Sequence, residues 1–183
     1  MSLPTFFHAD LSAEDILIEL NQQESQHAAK ARRLKAGSPV RVLNGRGLVA
    51  DAQIHAVERS KVTLKIDSTK EFARPRLGLC IATAVPKGDR QKVMLDMMSQ
   101  LGVTPIMALE CEYSVTRFGS NIHDKWVRAT IEACKQSQNP WLPEVLSAQQ
   151  AISLQPSESQ WVGYADGRGQ SGLLYTADAA DAG

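Results

Sequence analysis

The spacing of apolar residues changes near residue 72 and divides the chain into two parts. In the first part, apolar and polar residues alternate, as is typical of half-buried strands. The clearest case is residues 48–56, and residues 39–43 and 61–67 predict two further strands. Short strands this close together favour a small β-barrel. The inner face of the longest strand carries Leu48, Ala50, Ala52, Ile54 and Ala56.

Two local signals organise this first part. Residues 23–34 predict a short helix that ends near Gly37 and Pro39. Asn44-Gly45 predicts a type I′ hairpin turn between two strands, because both residues tolerate the positive φ angles of that turn.

After residue 72 the pattern becomes that of an α/β protein. Residues 77–85 and 103–109 are apolar runs, as expected of strands covered on both faces. The helix between them is predicted to be capped by Asp89 and ended by Gly102. Its apolar stripe comprises Val93, Met94, Met97, Met98 and Leu101.

A second amphipathic helix is predicted from Asn121. It is followed by an extended segment at 142–146, a short helix from Ser147 and a strand at 160–165. This order of strands and helices favours a parallel sheet. The inner face of the second helix carries Ile122, Trp126, Ala129, Thr130 and Ala133.

Charge adds one feature to this picture. The net charge is zero, but residues 28–50 contain six basic residues and no acidic one. Such a segment is either a patch for nucleic-acid phosphates or a solvated helix face followed by a charged hairpin. The basic residues are Lys30, Arg32, Arg33, Lys35, Arg41 and Arg46.

Other features exclude several classes of protein. The three cysteines are widely spaced and form no ligand pattern with the four histidines, so no metal site is expected. We interpret Cys80, Cys111 and Cys134 as small buried hydrophobes. No apolar run approaches the roughly 18 residues of a membrane helix. The amino terminus lacks the features of a secretion signal, so a cytoplasmic protein without a membrane partner is expected.

Four phrases, in order, resemble the RsmE family of SPOUT-superfamily ribosomal RNA methyltransferases. The first is H-A-A-K-A-R-R-L-K-A-G at 27–37, which leads to V-L-N-G-R-G at 42–47. The second is P-K-G-D-R at 86–90 with Q-L-G-V at 100–103, and the third is E-C-E-Y-S-V at 110–115. The fourth runs from Trp126 through E-A-C-K-Q-S-Q-N at 132–139 to Pro143.

The chain also departs from the family pattern. Gln100 and Lys135 stand where the family usually has Glu, and Tyr113 and Asn139 stand where it usually has Arg. The chain lacks the family's two C-terminal phrases, G-P-E-G-G and L-G-x-x-I-L-R-x-E-T-A. In the family these segments build the trefoil knot that binds the cofactor, and they form much of the dimer interface. We therefore expect a methyltransferase domain without its C-terminal knot segment.

The resemblance implies a PUA-like RNA-binding β-barrel over residues 1–72. It implies an α/β SPOUT-type domain, Rossmann-like and C-terminally incomplete, over residues 73–183. The implied activity is transfer of a methyl group from S-adenosylmethionine to N3 of a uridine in small-subunit (16S) ribosomal RNA. The implied partners are that RNA or the small ribosomal subunit, and a second copy of the chain in a homodimer.

Candidate site residues follow from the resemblance and from the strand-end loops. Lys87 and Arg117 are catalytic candidates, for which the alternative is a solvated loop cation. Gln136 and Asn139 either orient a partner's groups or satisfy a helix end. Ala165, Asp166 and Gly167 are candidates for part of the cofactor site, in a segment that lacks the Lys-Ser/Thr of a P-loop. The RNA-binding candidates are Lys30, Arg32, Arg33, Lys35, Arg46, Lys87 and Arg90.

Three alternative functions remain at this stage. The first is a non-catalytic RNA-binding relative, the second is a shortened form of the enzyme, and the third is an α/β binding protein unrelated to RNA. The basic segment disfavours the last of these.

Overall fold

The computed structural model describes residues 3–31, 33–59, 61–76, 78–109, 116–147, 161–165 and 171–175. For residues 30, 31, 161–165 and 171–175 it describes the backbone alone. Contacts between Cα atoms divide the chain into one unit up to Ala148 and a second from Gln149.

The amino-terminal part is a curled five-stranded sheet around its own apolar core. Its strands are β1 (Thr5–Phe7), β2 (Leu17–Glu19), β3 (Pro39–Leu43), β4 (Leu48–Val57) and β5 (Val62–Glu71). They lie in the order β1-β3-β4-β5-β2, where β1 pairs in parallel with β3 and the remaining pairs are antiparallel. The alternation predicted for β4 is confirmed, since Ala50, Ala52 and Ile54 are buried.

The connections in this part differ from the sequence prediction. Helix α1 (Gln22–Gln26) is capped by Asn21, whose side chain accepts from the Glu24 N–H at 2.9 Å, and passes into a π-helical turn at His27–Ala31. The helix therefore ends before Leu34, and Arg33 has a φ of 50°. The prediction of a type I′ turn is also wrong. The connection spans 44–47, Gly45 and Gly47 have positive φ, and the Asn44 side chain accepts from the N–H groups of Arg46 and Leu48.

The second sheet is parallel, as predicted. It contains β6 (Leu79–Ala84), β7 (Val103–Leu109) and β8 (Val145–Leu146) in that order. Helices α2 (Arg90–Gln100) and α3 (Ser120–Ser137) connect them. Trp126 is fully buried in α3, and its indole N–H donates to Gln91 Oε1 in α2 at 3.0 Å. A satisfied indole at the centre of the core holds both helices against the sheet.

Three predictions for β6 and α2 are wrong in part. Among the described strands, β6 pairs on one side only, with β7, so Leu79 and Cys80 are exposed rather than covered on both faces. The core-facing residues of α2 include Leu95 and Met98, because the helix is rotated relative to the predicted stripe. Asp89 occupies the cap position, but its side chain makes no capping hydrogen bond. Exposed members of that stripe are Val93, Met97 and Leu101.

The carboxyl-terminal unit contains β9 (Trp161–Ala165) and β10 (Ser171–Tyr175) as an antiparallel pair. The sequence predicted the strand at 160–165 as a member of the parallel sheet, and this pairing corrects that prediction. The short connection at 166–170 allows an antiparallel hairpin, whereas parallel neighbours need a longer crossover. The helix predicted from Ser147 lies largely outside the described residues.

Among the described residues, no helix combines the length and the apolar character that crossing a membrane requires.

Candidate functional site

Two loops with basic residues leave the same edge of the parallel sheet. Ala84 at the end of β6 pairs with Leu109 at the end of β7. Lys87 and Arg90 follow β6, and Arg117 precedes α3 on the segment after β7. All three side chains are exposed, and none forms an ion pair with another described residue. The edge therefore offers cations to an anionic ligand, at the place where open α/β sheets bind ligands.

Arg117 is adjacent to a fixed aromatic anchor. The Phe118 ring packs edge-on against the buried Trp126 at a centroid distance of 5.2 Å and against His123 at 6.1 Å. Phe118 packs against the buried core that contains Trp126, and this contact fixes the backbone next to Arg117. Its catalytic role stays a prediction.

The amino-terminal basic segment is exposed where the structure describes it. The side chains of Arg33 and Lys35 face solvent, and the Ser38 hydroxyl accepts from the Lys35 N–H at 3.1 Å. Arg46 is also exposed and donates to the carbonyl of Ala9 at 2.7 Å. Arg32 and the side chain of Lys30 lie outside the described residues. The described cations are accessible to RNA phosphates, but their use for RNA binding stays a prediction.

The cofactor candidates are mostly outside the described part of the chain. Ala165 is the last residue of β9 and pairs with Ser171. Asp166 and Gly167 are not described. The prediction that these residues contribute to a cofactor site is therefore untested.

The two described cysteines, Cys80 and Cys134, are poorly suited to act as nucleophiles. Burial raises the pKa of the Cys134 thiol to about 12, so it is protonated at neutral pH and is a poor nucleophile. Burial also raises the pKa of Cys80, although that side chain is exposed in part. The described residues contain no group of His, Cys, Asp and Glu side chains arranged to hold a metal.

A buried ion pair joins the barrel to the α/β part. Lys135 on α3 donates from Nζ to Glu24 Oε1 on α1 at 2.7 Å, and it also contacts Glu132 Oε1 at 2.7 Å. The side chains of Lys135 and Glu24 are only 5% and 6% exposed. Lys135 is one of the departures from the family pattern, and here its charge is used to hold the two parts together.

The end of α3 makes two further contacts, one across this joint and one to α2. Arg41 of β3 donates from Nη1 to Gln138 Oε1 at 2.7 Å. Asn139 donates to the carbonyl of Ser99 at 2.8 Å, which favours the helix-end role for Asn139 over the orienting role. Gln136 is exposed, and its role is untested. The sequence did not point to Glu24 or Gln138, and it identified Arg41 only as one of six basic residues, because the partners of these side chains across the joint are distant in the chain.

Comparison with known families identifies the class of protein. The profile of the RNA methyltransferase domain matches residues 73–170, and that of the RNA methyltransferase PUA domain matches residues 20–67. Because the first match covers more than half of the 183 residues, the chain belongs to the RNA methyltransferase family.

Its curated relatives carry a more specific name. The chain is 27% identical over 128 residues to ribosomal RNA small subunit methyltransferase E of Synechocystis, a match that spans 70% of this chain and 42% of the relative. It is 27% identical over 144 residues to the protein of the same name from Rickettsia conorii, spanning 78% and 57% of the two chains. The chain thus spans about half the length of the curated relatives it matches.

Solved structures agree in fold. Ribosomal RNA small subunit methyltransferase E from Neisseria gonorrhoeae, bound to S-adenosylmethionine, has a TM-score of 0.74 at 22% identity, over 86% of this chain and 67% of that one. A Legionella pneumophila protein described as a methyltransferase with bound cofactor has a TM-score of 0.73 at 24% identity, over 80% and 63%. These likenesses establish the SPOUT-type fold preceded by a PUA domain.

Proposed function

We propose that the protein methylates N3 of a uridine in 16S ribosomal RNA, with S-adenosylmethionine as the methyl donor. The observation that carries the proposal is the ordered match of a PUA domain and an RNA methyltransferase domain along one chain. We assign residues 1–72 to an RNA-holding barrel and residues 73–183 to the methyltransferase part. We further propose that the protein works as a cytoplasmic homodimer on the small subunit or its RNA.

The chemistry sets the task of this chain's own residues. Uridine N3 carries a proton and becomes a good nucleophile only when that proton is lost or shared. Exposed cations at the sheet edge stabilise negative charge on the uracil ring and hold neighbouring phosphates, and we assign those tasks to Lys87 and Arg117. Neither residue is proposed as the proton acceptor, because both are cations with no lone pair to offer when protonated.

The cofactor supplies an activated methyl group, so positioning of uridine contributes much of the rate. The cations of Lys87, Arg90 and Arg117 are compatible with the carboxylate end of the cofactor as well as with RNA phosphates. Ala165, Asp166 and Gly167 are the residues we propose for part of the cofactor site.

The second candidate is a non-catalytic RNA-binding relative. The observation in its favour is that two residues that differ from the family pattern make structural contacts. Lys135 pairs with Glu24, and Asn139 donates to the carbonyl of Ser99. Both side chains hold the fold in places where the family pattern has a different charge. Titration calorimetry with S-adenosylmethionine separates the candidates. Saturable binding supports the methyltransferase, whereas RNA binding without cofactor binding supports the relative.

Charge reversal tests the basic segment. We expect the R33E/K35E variant to bind 16S RNA at least about tenfold more weakly than the parent, because each cation removed leaves one phosphate without its counter-charge. The slope of log K against log salt concentration becomes shallower by about 0.7 for each phosphate of a single strand that the variant no longer neutralises. Fluorescence anisotropy over a range of salt concentrations measures both quantities.

The matched control is K125E/R128E, which changes the net charge equally at two exposed positions of α3. An equal loss of affinity in both variants would show that net charge matters and would contradict a specific role of Arg33 and Lys35.

A further inference from the structure

An open cleft of about 370 Å³ lies on the outer face of the barrel, beside the end of α3. Its walls come from β3, β4, β5, the residue that follows β5 and the residue that follows α3. Strand register brings Arg41 opposite Asp51, and Asp51 opposite Ser68. Of the described basic residues at 28–50, Arg41 lines the cleft, whereas Arg33, Lys35 and Arg46 do not, and neither does the loop at 85–90. The side chains that matter for its chemistry are Arg41, Asp51, Ser68, Lys70, Phe72 and Gln138.

The guanidinium of Arg41 is fixed in this cleft. Its Nε donates to Asp51 Oδ1 at 2.9 Å, and its Nη1 donates to Gln138 Oε1 at 2.7 Å. These two bonds leave the donors of Nη2 for a ligand. Because the side chain is already held in place, a ligand that bonds to it does not have to meet the entropic cost of ordering it.

An aromatic ring and a second cation lie at the other side of the cleft. Phe72 is 37% exposed, a large fraction for a phenylalanine, and Lys70 Nζ lies 4.7 Å from the centre of its ring. The backbone of Phe72 is anchored, since its N–H donates to the carbonyl of Gly47 at 2.8 Å. The ring is therefore anchored and partly exposed, with the Lys70 ammonium over one of its faces, so a base that stacks on that face displaces the ammonium.

The combination favours one class of ligand. A bare phosphate would meet the carboxylate of Asp51, so the cleft is poorly suited to an inorganic anion. A nucleotide suits it better, because a base can stack on Phe72 while its phosphate meets Lys70 or Arg41. The free oxygen of Asp51 and the amide N–H₂ of Gln138 match donors and acceptors on a base edge. The volume lies in the range of about 300–1,000 Å³ for small-ligand sites.

We propose that this cleft binds one unpaired nucleotide of single-stranded RNA, with its base stacked on Phe72. The inference rests on the proposed function, since it gives the barrel a specific part of the RNA to hold. It assigns to the barrel a recognition site for an unstacked base, in addition to charge contacts with the backbone.

The test uses a short single-stranded RNA that carries one 2-aminopurine, whose fluorescence is quenched when the base stacks. With the unchanged protein we expect saturable binding and quenching. Phe72→Leu keeps an apolar side chain of similar size but removes the aromatic face. We expect it to weaken binding roughly 5- to 150-fold, as about 1–3 kcal/mol of stacking implies, and to restore fluorescence in the residual complex.

Val57→Ala is the control, because Val57 is exposed on the same sheet and does not line the cleft. Equal thermal unfolding of both variants and the parent shows that each is folded. If the parent binds RNA and Phe72→Leu binds it as tightly with unchanged quenching, the cleft proposal is wrong and the proposed function stands. If the parent binds neither this RNA nor 16S RNA, both proposals fail.

Discussion

Replacing Lys135 with methionine is expected to lower the free energy of unfolding by about 3–5 kcal/mol. The reason is that Glu24 would remain buried with its charge uncompensated, since its side chain is 6% exposed and its Oε2 already has no hydrogen-bond partner among the described residues. Glu132, which is 46% exposed, can rehydrate and adds little to the loss. Chemical denaturation of the parent and the variant measures the difference.

Two further variants show whether the pair causes the loss. Lys125→Met removes an exposed lysine from the same helix and should change stability by no more than about 0.5 kcal/mol. The double variant Glu24→Leu with Lys135→Met removes both charges and should recover most of the stability that Lys135→Met alone removes. A loss below about 1 kcal/mol for Lys135→Met, typical of a surface ion pair, would contradict a buried joint.

The second large effect is expected at Gly47. This residue has a φ of +98°, and an added Cβ would lie 2.5 Å from Trp141 Cζ2 and 2.8 Å from the carbonyl oxygen of Phe72. Its N–H donates to Pro140, and its carbonyl accepts from Phe72, so backbone on both sides prevents the loop from moving away. We expect Gly47→Ala to cost about 3 kcal/mol or more, through backbone strain and the clash together. Chemical denaturation again gives the value.

Gly37 supplies the comparison for Gly47. It also has a positive φ, +82°, but an added Cβ would meet no atom within 4 Å. The loss of unfolding free energy in Gly37→Ala therefore measures the backbone strain alone, which we expect to be about 1 kcal/mol. Equal losses at the two positions would mean that Trp141 and Phe72 adjust without cost, and the crowding described at Gly47 would be wrong.

Local sequence patterns predicted the elements whose core-facing residues repeat regularly. β3 and β7 have the predicted bounds, and α3 buries Trp126, Thr130 and Ala133 as its periodicity indicated. The errors arise where long-range contacts decide. The exposure of β6 depends on its place at the sheet edge, and the turn after β3 depends on the Asn44 side chain, which also donates to the carbonyl of Leu11.

The candidate site divides in the same way. Loops after parallel strands are predictable from strand order, so Lys87 and Arg117 were identifiable as residues of one sheet edge. The cleft at Phe72 was not, because Arg41 and Gln138 are far apart in sequence and only the fold places them at 2.7 Å. Lys135 stood out as a change from the family pattern, but its partner Glu24 could not be predicted from either segment alone.

Site-specific transfer of a labelled methyl group tests the proposed activity most directly. The protein is incubated with unmodified small ribosomal subunits and S-adenosylmethionine labelled in its methyl group. The 16S RNA is then digested to nucleosides, and separately to oligonucleotides, for mass spectrometry. We expect the label in 3-methyluridine, at a single position of the RNA. Label in another nucleoside, or none in RNA that the protein demonstrably binds, would contradict methylation of uridine N3.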